Sequence, residues 1–171
     1  MGERALVAYA TRAGSTVEIA AAIGEVLSEA GTAVDILPAK QVTDPAPYRL
    51  VVLGSGIYLG RWMRDAVKLL ERHREALNDV PVAFFSVCLT LKEDTEENRR
   101  KVAAYLEPVR ERVPEVEPAE VGMFAGRLDA SKLPLHHRLI IDGLGEESAD
   151  YRDWDAVRAW GEKVASLLPG A

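Results

Sequence analysis

Short apolar runs and longer amphipathic segments alternate five times along this chain, and that alternation narrows its folds more than any other feature. Residues 5–10 are a run of strand formers followed by a polar turn. From Ser15 the apolar residues Ile19, Ala20, Ile23, Val26, Leu27 and Ala30 recur on one helix face, and Gly31 stands where a helix-ending glycine belongs. Residues 32–37 alternate as a second strand. Residues 50–53 are continuously apolar, the mark of a strand buried on both faces. A glycine-rich turn is expected over 54–60, a helix over 61–77 and a strand over 80–89. A charged helix follows over 95–113, bent near Pro108. A fifth strand lies within 116–124, and a last helix spans 155–168. Such alternation predicts an α/β fold, a parallel sheet with helices on both faces.

The 171 residues are one domain's worth of chain, enough to bury about 70% of the surface exposed when unfolded. Twenty-one Lys and Arg against 27 Asp and Glu give a net charge of −6, which argues against a nucleic-acid binder. No apolar run approaches the roughly 18 residues of a membrane span, and the first residues do not read as a secretory leader. Gly2 opens no myristoylation motif, because position 6 is Leu. A single cysteine, Cys88, excludes an internal disulfide and a multi-cysteine metal site. The expected location is the cytoplasm, with peripheral membrane contact as the alternative. The one irregular stretch, 126–154, is longer than an ordinary connection and reads as either functional or disordered. A short helix is expected within it near 135–144.

Open parallel sheets bind ligands beyond the carboxyl ends of their strands, where strand order reverses. The first such loop is Thr11-Arg12-Ala13-Gly14-Ser15-Thr16, which opens the first helix. Hydroxyls and free N–H groups at a helix start suit a phosphate; a plain helix capped by Ser15 or Thr16 is the alternative. The loop lacks the lysine of an NTPase phosphate loop and the GxGxxG of a dinucleotide site.

Residues 7–16 resemble the FMN-phosphate loop of flavodoxins, T/S-x-T-G-x-T, with Ala13 where a hydroxyl residue is usual. More closely, the chain resembles the flavodoxin-like, menaquinone-dependent protoporphyrinogen oxidases, whose loop reads S-T-R-D-G-x-T. Arg12 and Gly14 match it, and the similarity continues through residues 53–57, 83–87, 124–128 and Asp153-Trp154. The resemblance implies a five-stranded flavodoxin-like sheet in the order 2-1-3-4-5. FMN would sit at the switch, with Thr11, Arg12, Ala13, Gly14, Ser15 and Thr16 around its phosphate.

The second loop carries Ser55, Gly56, Ile57, Tyr58, Gly60 and Arg61. In the resembled family an aromatic from this loop packs on the isoalloxazine; Tyr58 is the nearer counterpart and Trp62 a second candidate, either of which could instead be core. Electron-carrier flavodoxins often place an acidic residue where Arg61 stands. A cation there stabilises the anionic reduced flavin by about 1–4 kcal/mol if close; an arginine turned to solvent does not. The third loop holds Ser86, Val87, Cys88 and Leu89 and lacks the family's second stacking tyrosine. Cys88 reads either as a packed thiol or as a neighbour of the ring.

Residues 127–138 gather Arg127, His136 and Arg138 in an otherwise acidic chain. They are candidates to meet the propionates of a tetrapyrrole substrate, or a solvated surface. No third ligand accompanies the paired histidines, so no metal is expected. The acidic run around Asp142–Asp155 reads as solvated loop and helix start, with docking of a basic partner as the alternative. The resemblance implies an FMN-binding oxidoreductase of heme biosynthesis that passes electrons from a reduced tetrapyrrole to a quinone or other acceptor. The alternative is a flavodoxin-type electron carrier that serves a redox partner protein and has no substrate of its own.

Overall fold

The computed structural model describes residues 4–12, 14–128 and 149–170. In chain order its elements begin with β1 (Arg4–Ala10), α1 (Ser15–Glu29), β2 (Ala33–Pro38) and β3 (Leu50–Tyr58). They continue through β4 (Arg61–Trp62), α2 (Arg64–Arg72), α3 (Arg74–Asn78) and β5 (Val82–Val87). Then come α4 (Glu96–Ala104), α5 (Glu107–Arg112), β6 (Glu120–Phe124), β7 (Arg127–Leu128), β8 (Ala149–Asp150) and α6 (Trp154–Ala165). The five long strands are parallel and run β2-β1-β3-β5-β6. Counted among themselves, that is the expected order 2-1-3-4-5.

Each strand's two-residue period divides the core. Leu6, Ala8 and Ala10 of β1 join Val51, Leu53 and Phe84 under α2, α3 and α5. Ala5 and Val7 join Leu50, Val52, Ala83 and Phe85 under α1 and α6, where Ile19, Ile23, Leu27, Val157 and Val164 complete the layer. Helices therefore cover both faces, as the alternation requires. Each of these fully buried Leu, Ile and Phe side chains contributes about 1.5–3 kcal/mol through area removed from water.

The stretch 54–60 is not a turn. β3 continues through Tyr58 and folds back at Leu59-Gly60 into β4, pairing Ile57 with Trp62 and Tyr58 with Arg61. Leu59 (φ 50) and Gly60 (φ 72) both have positive φ, the condition of a tight hairpin turn matched to strand twist. The Ser55 hydroxyl locks the fold-back, accepting the Met63 N–H and donating to the Gly56 carbonyl, both at 2.8 Å. So the helix expected over 61–77 begins only at Arg64, and it breaks at His73. The charged helix is also two pieces. The break falls at Tyr105-Leu106, and Pro108 sits in the first turn of α5, where a missing N–H costs nothing.

β7 and β8 pair antiparallel and bring together the two ends of the long insertion. Ala13, His136, Arg138 and the helix expected near 135–144 lie outside the described residues.

Candidate functional site

Pairing aligns the carboxyl ends of four strands. Ala10 stands opposite Ser55, Ser55 opposite Ser86, and Gly56 and Phe124 on either side of Val87. The loops that follow them therefore converge at the switch between β1 and β3, where α/β sheets hold ligands.

At the start of α1 the N-cap is Gly14, with φ 92, a left-handed conformation that glycine adopts without strain. The Thr11 hydroxyl accepts the Gly14 N–H at 3.0 Å and shapes the loop. Neither Ser15 nor Thr16 is the cap, which corrects the capped-helix expectation: Gly14 has no side chain to offer, so the first turn lacks a side-chain acceptor. Thr16 is 1% exposed, and its Oγ1 is buried without a hydrogen-bond partner among the described residues. Leaving a hydroxyl so costs about 1–3 kcal/mol. A Cβ at Gly56 would stand 3.3 Å from that oxygen, and one at Gly126 would stand 3.1 Å from both Ser15 Oγ and Val87 Cγ1. Three loops thus close around one uncapped helix N-terminus with an unpaired buried hydroxyl. The field of the helix favours an anion there.

The second loop divides by face. Trp62 is 5% exposed, donates its Nε1–H to Ser86 Oγ at 2.9 Å and meets Phe84 edge-on at 5.5 Å. Trp62 is therefore core; a ring that large at a hairpin base is worth most when buried. Ile57, its cross-strand partner, packs into the same interior. Ser55 and Ser86 are buried, their hydroxyls engaged inside the protein. Tyr58 and Arg61 pair on the other face of the hairpin, where Arg61 is exposed. The Arg12 guanidinium lies 4.2 Å from the centroid of the Tyr58 ring. At the hairpin tip Leu59 is 82% exposed.

In the third loop Cys88 is buried with Leu91 and Val102, packed against Ile57, Tyr105, Met123 and Ala125. Its N–H donates to the Phe124 carbonyl at 2.9 Å. Val87 borders Gly126 and Ser15, while Leu89 begins a short helical turn.

Arg127 lies 3.7 Å from Glu18 of α1. Beside it lies a cluster that periodicity does not show. Arg152, its side chain 5% exposed, binds both Asp150 oxygens at 2.8 and 2.7 Å and Glu18 at 2.6 Å, and stacks on Trp154. The Arg152 hydrogen bonds hold the Asp150 carboxyl down to about 2, and the same bonds raise Arg152. The clamp ties the base of the insertion to the first turn of α1. Its one signal in the sequence is a lone cation within an acidic run.

This geometry is that of a flavodoxin, and the chain belongs to the flavodoxin domain family, whose model matches residues 6–155. Among curated relatives it is similar to protoporphyrinogen IX dehydrogenase [quinone] of Escherichia coli K12, 25% identical over 178 aligned positions covering 96% of both chains. It is also similar to the protein of the same name from Leishmania major, 28% identical over 176 positions, 96% of this chain and 75% of the relative. Among solved structures, oxidised flavodoxin 1 of Bacillus cereus superposes with a TM-score of 0.58 at 13% identity, covering 96% of this chain and 99% of that one. No helix among the described residues is long and apolar enough to cross a membrane.

Proposed function

We propose that the protein is an FMN-dependent oxidoreductase that takes electrons from a reduced tetrapyrrole, of the protoporphyrinogen type, and delivers them to a quinone. The observation that carries the FMN assignment is the unpartnered Thr16 hydroxyl at an uncapped helix N-terminus, opened by Gly56 and Gly126. Those groups fit a single phosphate monoester: Thr11, Gly14, Ser15 and Thr16 would hold it. Bound FMN supplies the redox chemistry, and the chain supplies position and electrostatics. Gly56, Tyr58 and Gly60 would border the ring. Arg61 places a cation at the exposed rim, suited to the carboxylates of an anionic substrate. The substrate and acceptor are supported by the two relatives, whose coverage of the chain is nearly complete.

An electron-carrier role is the second reading. It is supported by the net charge of −6, suited to docking a basic redox partner. One experiment addresses both. Purified protein is titrated calorimetrically with FMN and FAD, and the flavin-loaded form is then mixed with protoporphyrinogen and a quinone. Tighter binding of FMN than FAD with quinone-dependent formation of protoporphyrin is the expected result. Equal or tighter FAD binding sinks the FMN assignment. FMN binding without turnover, but with rapid exchange with a flavodoxin reductase, favours the carrier.

A further inference from the structure

We infer that Arg12 recognises the flavin's ring and not its phosphate, an inference that rests on the FMN reading above. Its place in the sequence, between Thr11 and Gly14, makes it a natural member of a phosphate cradle. Its place in space does not. The guanidinium stands 4.2 Å from the centroid of Tyr58, at stacking distance on the aromatic that closes β3. The helix N-terminus meanwhile has its own equipment: backbone N–H groups, the left-handed turn at Gly14 and the unpaired Thr16 hydroxyl. A monoester there is met by dipoles and hydroxyls, without this cation.

Arginine suits the other end. Its guanidinium is planar and weakly hydrated, and it stacks on aromatic faces while keeping its charge. Arg12 is exposed, so its stack on Tyr58 is shielded little from water. A second flat heteroaromatic ring arriving beside Tyr58 meets the guanidinium plane directly. The ligand class selected is therefore a planar ring system, and more strongly one that becomes anionic on reduction, whether or not a phosphate is attached. Arg12 is on this account a specificity residue for the ring.

The test separates the ends of the ligand. Wild type, Arg12→Ala and Arg12→Lys are each titrated with FMN and with riboflavin, which lacks the phosphate. Arg12→Ala is expected to weaken both ligands by the same factor, about three- to tenfold, leaving the ratio of the two affinities at its wild-type value. Arg12→Lys keeps the charge without the plane, so it should weaken riboflavin as well. Selective loss of FMN affinity in Arg12→Ala, restored by Arg12→Lys, would overturn this inference alone by returning Arg12 to the phosphate. Unchanged affinities for both ligands would overturn it too, and so would an equal gain, which means competition with the ring. A wild type that binds neither flavin overturns the FMN reading and this inference together.

Discussion

At the α1 end of the site the parts are backbone, glycine and a hydroxyl already out of water: Gly14, Gly56, Gly126 and Thr16. At the hairpin end they are exposed side chains: Leu59 on the two-residue turn, Arg61 in β4 beside it, and Arg12, which reaches the Tyr58 ring from the loop before α1. The glycine at the first end adopts its left-handed φ without strain. Leu59 adopts φ 50 against a preference of about 1–2 kcal/mol. Strained residues collect at functional sites because surrounding structure holds them there. The difference teaches a division of labour. On the FMN reading, the preformed end with its unmet polar demand would supply most of the affinity, whereas the exposed, cationic end would set electrostatics and choice of partner.

The largest expected effect breaks the preformed end. Thr16→Val keeps the shape of the side chain and removes the orphan hydroxyl. Free protein should be as stable as wild type or more so, since an unsatisfied buried group is gone. FMN affinity should fall by about 1.5–3 kcal/mol, the worth of a hydrogen bond to a charged group. Chemical denaturation beside calorimetry reads both quantities. Loss of stability with unchanged affinity would make Thr16 an ordinary core residue. Next in size is Arg152→Ala, which strands the Asp150 and Glu18 carboxylates. Breaking a buried pair costs about 3–5 kcal/mol; with both partners half exposed, about 2 kcal/mol is expected in urea unfolding. A midpoint within error of wild type would detach the clamp from the stability of this end.

Much of this was legible in the residues. Five alternations predict the parallel sheet with helices on both faces; its strand order, and with it the set of loops that converge, is what the resemblance to flavodoxins implies. The hairpin was not legible: residues 54–60 carry three glycines and a serine, typical of a turn, while the pairing of Tyr58 with Arg61 depends on the burial of Trp62, a tertiary fact. For the same reason the pattern over 61–77 reads as one helix from Arg61, and Trp62 reads equally as ring partner or as core. The resemblance sets Arg12 beside the phosphate, but a loop motif carries no side-chain direction, and the stack of its guanidinium on Tyr58 is a tertiary fact. The clamp was hidden because Asp150 and Arg152 are two residues apart, whereas Glu18 is more than a hundred away.

A smaller effect sharpens the hairpin end. Arg61 is exposed, so water screens it, and its influence on a charge a few ångströms away is at the low end, about 1 kcal/mol, or on the order of 40 mV for one electron. Arg61→Asp should lower the second one-electron potential by somewhat more than that and leave the FMN affinity of the oxidised form within about threefold, since the phosphate end is untouched. Potentiometric titration at two salt concentrations checks both, and the shift should shrink at high salt. A large loss of oxidised FMN affinity would erase the division between the two ends.

The smallest effect concerns pH at the back of the preformed end. The Asp150 carboxyl is held at about 2 in the folded protein, below its ordinary 3.8, chiefly by its hydrogen bonds to Arg152. A depressed carboxyl adds stability that is fully present above its unfolded pKa and lost as pH falls through the folded one. The clamp should therefore be intact above about pH 5 and lose its ionic part between about pH 4 and pH 2. With Asp150 45% exposed, screening reduces that part to about 1 kcal/mol or less. The stability gap between wild type and Asp150→Asn isolates it from the many other carboxylates that titrate in acid. That gap should be open at pH 6 and nearly closed at pH 2. A gap of equal size at both would mean that Asp150 acts through the shape of its hydrogen bonds and not through its charge, and that the helix N-terminus is braced by packing alone.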